Sequence, residues 1–145
     1  MRAALRVAGQ VLLGAFLVFA GTAHLTVART TFRAQVPPWL PLDADLVVVV
    51  SGLVELVLGG ALLVLWRARP RVVVGVVVAA FLVAVFPGNV SQLLTRTDAF
   101  GLDSDTARAV RLPFQPLLVA WALWCTGAWS AWRARVGRHR ELSGR

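Results

Sequence analysis

Six side chains could do chemistry because they stand where polar groups are costly: His24, Ser51, Glu55, Asn89, Arg111 and Gln115 lie within or at the ends of apolar runs. Glu55 is the sharpest case, near the middle of LVVVVSGLVELVLGGALLVLW, Leu46 to Trp66. An ionisable group at that position marks a functional site by default and faces other helices or a wet cavity rather than lipid. A buried carboxylate there could exchange a proton with a bound molecule, and His24, Asn89 and Gln115 could hydrogen-bond to it. Each residue has a plainer reading beside this one. Glu55 could be interhelical glue, His24 an interfacial residue at a helix end, and Asn89 and Gln115 partners for broken backbone, while Arg111 could reach toward headgroups. Two histidines and one intramembrane acid do not compose a metal site, so no metal is expected. The single cysteine, Cys125, excludes an intramolecular disulfide, a CxxC pair and a thiolate zinc site, and reads as packing.

Helical spacing gathers these residues. Gln10, Gly14, Leu17, Gly21 and His24 fall on one stripe, at alternating steps of four and three. Gly52, Glu55 and Gly59 share a face, with Ser51 one turn from Glu55, so the small residues that let helices approach also turn the acid inward. Gly75, Ala79, Leu82, Phe86 and Asn89 form a third stripe, broken by FPGN, where Pro87 should free the carbonyl near Val83 and kink the helix. In RLPFQP, Pro113 and Pro116 suit a helical first turn, and Arg111 and Gln115 stand one turn apart, with Ala122 and Cys125 further down the same face. At about 1.5 Å per residue Glu55 lies roughly 14 Å down from the outer end of its run. The expectation is a polar pocket opening outward, with Glu55 at its floor and His24, Asn89, Gln115 and Arg111 nearer its mouth.

The elements that must hold this pocket are long apolar runs. The chain is 58% hydrophobic over 145 residues, with mean hydropathy +0.72, a membrane composition. Four runs, about 7–28, 46–66, 72–94 and 112–132, have the length of roughly 20 residues needed to cross a bilayer, and their continuous apolar character favours helix over barrel strand. The expected fold is all-α: one domain over residues 1–145, a four-transmembrane-helix bundle. All fifteen basic residues are arginine, and the net charge is +8. Ten lie at the N-terminus, in RARPR and in the tail 133–145, whereas the other two connections hold five of the seven acids. That asymmetry puts both termini in the cytoplasm and argues against nucleic-acid binding. The tail reads as a disordered cytoplasmic topology signal touching anionic lipid. Arg2 and Arg6 before an apolar run ending in AGTA also fit a cleaved signal peptide, but the run exceeds the usual apolar region of about 7–15 residues, and a retained helix is expected. Trp39, Trp66, Trp129 and Trp132 fall near predicted interfaces.

In this order, GTAHL, FRAQVPPWLP, SGLVELVLGG, FPGNVSQ and RLPFQPLLVAWAL resemble the segments of the DoxX-like family of small bacterial membrane proteins, over about Gly14 to Trp132. The resemblance assigns Gly21 and His24 to the glycine and histidine late in the first helix, and Pro37, Pro38 and Trp39 to the proline-proline-tryptophan segment. It likewise assigns Glu55 to the mid-membrane glutamate, Pro87 and Asn89 to the proline and asparagine after the third helix, and Arg111 and Gln115 to the opening of the fourth. Leu25 departs from it, since relatives often carry an aromatic there. The resemblance implies an inner-membrane, multi-pass protein linked to sulfur oxidation with quinone or to thiol-stress assemblies.

The first functional expectation is therefore a small subunit or docking partner of a membrane redox system, not a stand-alone enzyme. It would offer a pocket to a quinone or another lipid and have redox-system proteins or a second copy as partners. In this reading Glu55 exchanges a proton with the ring, while Gly21, Pro37, Pro38, Trp39, Gly52, Gly59, Pro87 and Pro113 are structural. The alternatives are binding or transport of a small organic molecule, and a structural membrane protein whose polar residues set helix register.

Overall fold

The computed structural model describes residues 1–143, the side chains of Arg2 and residues 138–143 excepted. Its helices are α1 (Arg2–Leu25), α2 (Arg29–Arg33), α3 (Ala44–Val64), α4 (Ala68–Leu94), α5 (Asp105–Arg111), α6 (Phe114–Cys125) and α7 (Ala128–Ser143). No strand occurs among the described residues beyond an isolated bridge between Ala99 and Leu102. Three helices, α1, α3 and α4, are long and apolar enough to cross a membrane, so the chain is an all-helical, multi-pass membrane protein.

Local chemistry moves the boundaries away from those expected. Asp43 caps α3, accepting from the Leu46 amide at 2.8 Å, and starts the helix before the apolar run. α1 ends at Leu25, where the chain turns so that the Ala28 amide donates to the Ala23 carbonyl at 3.1 Å, and α2 follows. RARPR contributes the first turn of α4, whose early amides need no partner, so Pro70 is tolerated there. Pro87 does not interrupt α4, which runs on to Leu94.

The largest correction concerns the fourth run, 112–132, which is not one helix. α6 has 12 residues, about 18 Å, less than the roughly 30 Å of hydrocarbon. It ends at Thr126–Gly127, where Gly127 has φ +80° and its amide returns to the Trp124 carbonyl at 3.2 Å. A left-handed glycine just past the last turn is a standard helix terminator. Pro113 is the cap residue of α6, outside its first turn, and Pro116 lies inside it. Arg111 therefore belongs to α5 and Gln115 to α6, on separate helices. The tail expected to be disordered is helical as far as Ser143 in α7, while 144 and 145 lie outside the described residues.

α1 packs on α3 and α4 on α6, and contacts of α1 with α6 and of α3 with α4 close the ring. Its core includes Leu13, Leu17, Leu62, Val78, Leu82 and Cys125. Two glycine pairs set the tightest crossing. A Cβ on Gly21 would stand 2.6 Å from the Gly52 carbonyl oxygen, and one on Gly59 would stand 2.8 Å from that of Gly14. The pairing of 14 with 59 and 21 with 52 makes the helices antiparallel and brings their backbones into contact. In lipid, where apolar burial does not drive helices together, close packing of small residues supplies this association. Gln10, fully buried, reinforces it by donating to the Leu62 carbonyl at 2.6 Å, one of the last carbonyls of α3 left without a helical partner.

Candidate functional site

The glycine crossing has a direct consequence on either side of it. His24 lies one turn beyond Gly21 and Glu55 one turn beyond Gly52, on opposite sides of the antiparallel contact, and each side chain leans toward the N-terminus of its own helix, back over the crossing, where the two meet. His24 Nδ1 lies 2.9 Å from Glu55 Oε2, and a Cβ on Gly52 would approach the His24 Cβ to 2.7 Å. Both residues are buried. The same Nδ1 is 2.9 Å from the Ala20 carbonyl, an acceptor only, so Nδ1 carries the hydrogen and donates it within α1. Glu55 Oε2 is close to that positive ring edge but takes no well-directed hydrogen bond. The two side chains are therefore in close polar contact, with the Nδ1 hydrogen directed to the backbone of α1. Phe32 of α2 stacks on the imidazole, centroids 3.4 Å apart at 17°.

A second group comes from α4 and α6. Asn89 Nδ2 donates to Gln115 Oε1 at 3.1 Å, and Gln115 Nε2 donates to the Leu82 carbonyl at 2.7 Å. Pro87 has no amide to donate to the Val83 carbonyl, but the carbonyl that Gln115 reaches is that of Leu82, one residue earlier than the sequence suggests and opposite the Phe86 amide in the helix.

The third group surrounds Arg111. Its Nη1 donates to Gln92 Oε1 at 3.1 Å, and its Nη2 donates at 2.6 Å to the Gln35 oxygen, with the Gln35 amide turned so that this oxygen faces the guanidinium. The guanidinium carbon lies 5.0 Å from the Phe100 ring centroid, within cation–π range. Two left-handed residues, Phe100 at φ 59° and Gly101 at φ 71°, form the turn that carries this ring, and Phe100 meets Phe32 edge-on at 4.7 Å. Gly88 matters here as a close approach, since a Cβ would stand 2.6 Å from the Gln35 carbonyl oxygen. The lack of a side chain lets the segment before α3 lie against α4 and present Gln35 to Arg111. Burial pushes the Arg111 guanidinium below its ordinary pKa, yet arginine remains a cation.

The three groups open onto one cavity of about 750 Å3. His24, Ser51, Glu55, Asn89, Arg111 and Gln115 all line it. Ser51 turns its hydroxyl back to the Val47 carbonyl, so it contributes little polarity. Pro37, Trp39 and Pro87 also line the cavity, and Trp39 is exposed. Gly21, Gly52 and Gly59 act through the crossing, while Pro113 caps α6. Sequence reasoning missed Gln35, Gln92, Phe32 and Phe100. Gln92 was legible, three residues after Asn89 and hence on the same helical face; Phe32 sits in the five-residue α2, too short to show a period, and Gln35 and Phe100 sit in connections. Among the described residues no three histidine, cysteine or acidic side chains cluster as metal ligands would.

A volume of this size and mostly apolar walls with a few convergent polar groups are the features of a small-molecule site. Comparison with curated proteins and with solved structures returned no match. Residues 13–126 match the family described as "Domain of unknown function (DUF8561)". That segment contains both halves of the glycine crossing and the six polar residues singled out from the sequence, and the chain belongs to the DUF8561 family.

Proposed function

We propose that this protein is a membrane-embedded binding subunit whose cavity holds a small lipophilic molecule with a polar head. The observation that carries the reading is the buried His24–Glu55 pair at 2.9 Å on the wall of a cavity of about 750 Å3. Two desolvated polar groups side by side on the wall of a mostly apolar cavity are costly unless something uses them. A quinone fits the chemistry, with an apolar ring and tail for the walls and carbonyls for the amides of Asn89 and Gln115. The DoxX-like order of segments supports a role beside a redox or thiol-stress partner. In this reading α6 and the start of α7 make a fourth crossing, with both termini on the cytoplasmic side of the bacterial inner membrane. The collection of Arg6, Arg67, Arg69, Arg71, Arg133 and Arg135 at one end of the bundle supports that orientation.

Lipid extraction and native mass spectrometry of the purified protein test the proposal. Wild-type protein should carry a co-purifying lipophile, and Glu55→Gln should carry at least tenfold less at equal abundance. An empty wild-type cavity would refute the proposal. A Glu55→Gln protein that is less stable but carries as much lipophile as the wild type would favour a role in setting helix register.

A further inference from the structure

Of the arginines at the cavity end of the molecule, all but one are paired with a carboxylate. Arg29 and Arg33 both pair with Asp45. Arg108, nearly fully buried, pairs with Asp98 and Asp105, and Arg96 lies 3.3 Å from Asp105. Glu55 faces His24, and Asp43 is occupied as the cap of α3. Arg111 alone among these arginines has no carboxylate within 4 Å among the described residues, and it is also the arginine that lines the cavity. Neutral groups hold it in place: the oxygens of Gln35 and Gln92 accept from its two terminal nitrogens, and Phe100 covers a face. Gln92 is itself anchored, fully buried and donating to the Thr97 carbonyl at 3.3 Å. The guanidinium is thus oriented and partly desolvated with its charge uncompensated, a state that favours an incoming anion because hydrogen bonds to a charged partner are the strong ones.

We propose that the cavity selects amphipathic organic acids, the anionic head on Arg111 and the apolar body along the walls toward Leu17, Val48 and Leu118. This rests on the reading of the cavity as a ligand site and narrows it: a neutral quinone satisfies hydrogen bonds there, whereas an acid also satisfies the charge. A free single-chain acid and the acidic headgroup of a bilayer lipid share this chemistry.

Radiolabelled dodecanoate bound to the full chain in phosphatidylcholine nanodiscs, at a pH where the carboxyl is ionised, tests it by competition. Unlabelled dodecanoate should displace the label at a concentration about tenfold or more below that needed for methyl dodecanoate or decylquinone. Arg111→Gln should lose that preference. If nanodiscs doped with phosphatidylglycerol abolish the binding, the bilayer headgroup is the source of the acid; if they do not, the free acid is. Equal displacement by acid, ester and quinone overturns the acid selectivity and leaves the ligand site standing, as does an Arg111→Gln protein with undiminished preference. Failure of every lipophile to bind overturns both. The acid-against-ester comparison uses the unaltered protein, so it decides even if Arg111→Gln does not fold.

Discussion

Gly21→Ala isolates the contact on which the candidate site depends. The added Cβ would stand 2.6 Å from the Gly52 carbonyl oxygen, about 0.8 Å inside the 3.4 Å at which ordinary contact begins. A backbone oxygen cannot rotate away, so α1 must retreat from α3. Overpacking of this kind costs about 1–3 kcal/mol, and alanine returns about 1 kcal/mol of helix propensity, leaving a net loss of roughly 1 kcal/mol. Gly60→Ala is the matched control on the same pair of helices, since its Cβ would meet nothing within 4 Å. It keeps the propensity gain of up to about 1 kcal/mol with no clash. The two substitutions should therefore shift stability in opposite directions, as read by reversible unfolding in mixed dodecyl sulfate and maltoside micelles followed by circular dichroism. The same retreat lifts His24 away from Glu55, now 2.9 Å apart, so ligand retention should fall in Gly21→Ala and hold in Gly60→Ala. A Gly21→Ala protein as stable as Gly60→Ala would refute the claim that backbone contact at this crossing sets the geometry.

Gln10→Leu removes the donor to the Leu62 carbonyl, but it also removes Gln10 Oε1, a buried acceptor without a partner. The losses partly cancel, and the expected destabilisation is about 1 kcal/mol, accompanied by faster amide exchange in the last turn of α3. Arg108→Met breaks a buried guanidinium's pairs with Asp98 and Asp105. Those carboxylates are 74% and 54% exposed and can return to water, so the cost should be about 1–2 kcal/mol, below the 3–5 kcal/mol of a fully buried pair. Amide exchange over residues 97–105 should accelerate while that of α1, α3 and α4 stays unchanged; a uniform acceleration would show that Arg108 supports the whole bundle.

Periodicity made the long helices legible because membrane spans leave a strong local trace: an apolar run of fixed length with small residues on one face. It was least reliable where a single residue overrides the run. Gly127 sits within an apolar stretch and nothing nearby marks it as a terminator, yet its left-handed backbone divides the expected fourth helix. Asp43 had the opposite effect, extending α3 beyond its apolar residues by capping it. The six polar residues stood out because each is costly where it lies, and all of them line one cavity. Gln35 and Phe100 did not stand out, since a glutamine or a phenylalanine in a connection costs nothing by itself.

The sequence by itself determines that this chain is apolar and helical, which faces carry glycine, and that Glu55 cannot face lipid without penalty. These properties depend on composition and on spacing within one segment. Which residue meets Glu55 is decided only by the tertiary structure, because it depends on the register of α1 against α3, set where Gly21 meets Gly52 across 30 intervening positions. The solitary charge of Arg111 is likewise invisible in a net charge of +8. It emerges only when folding has paired Asp45, Asp98 and Asp105 with other arginines, since pairing is a property of distance in space and not of order in the chain.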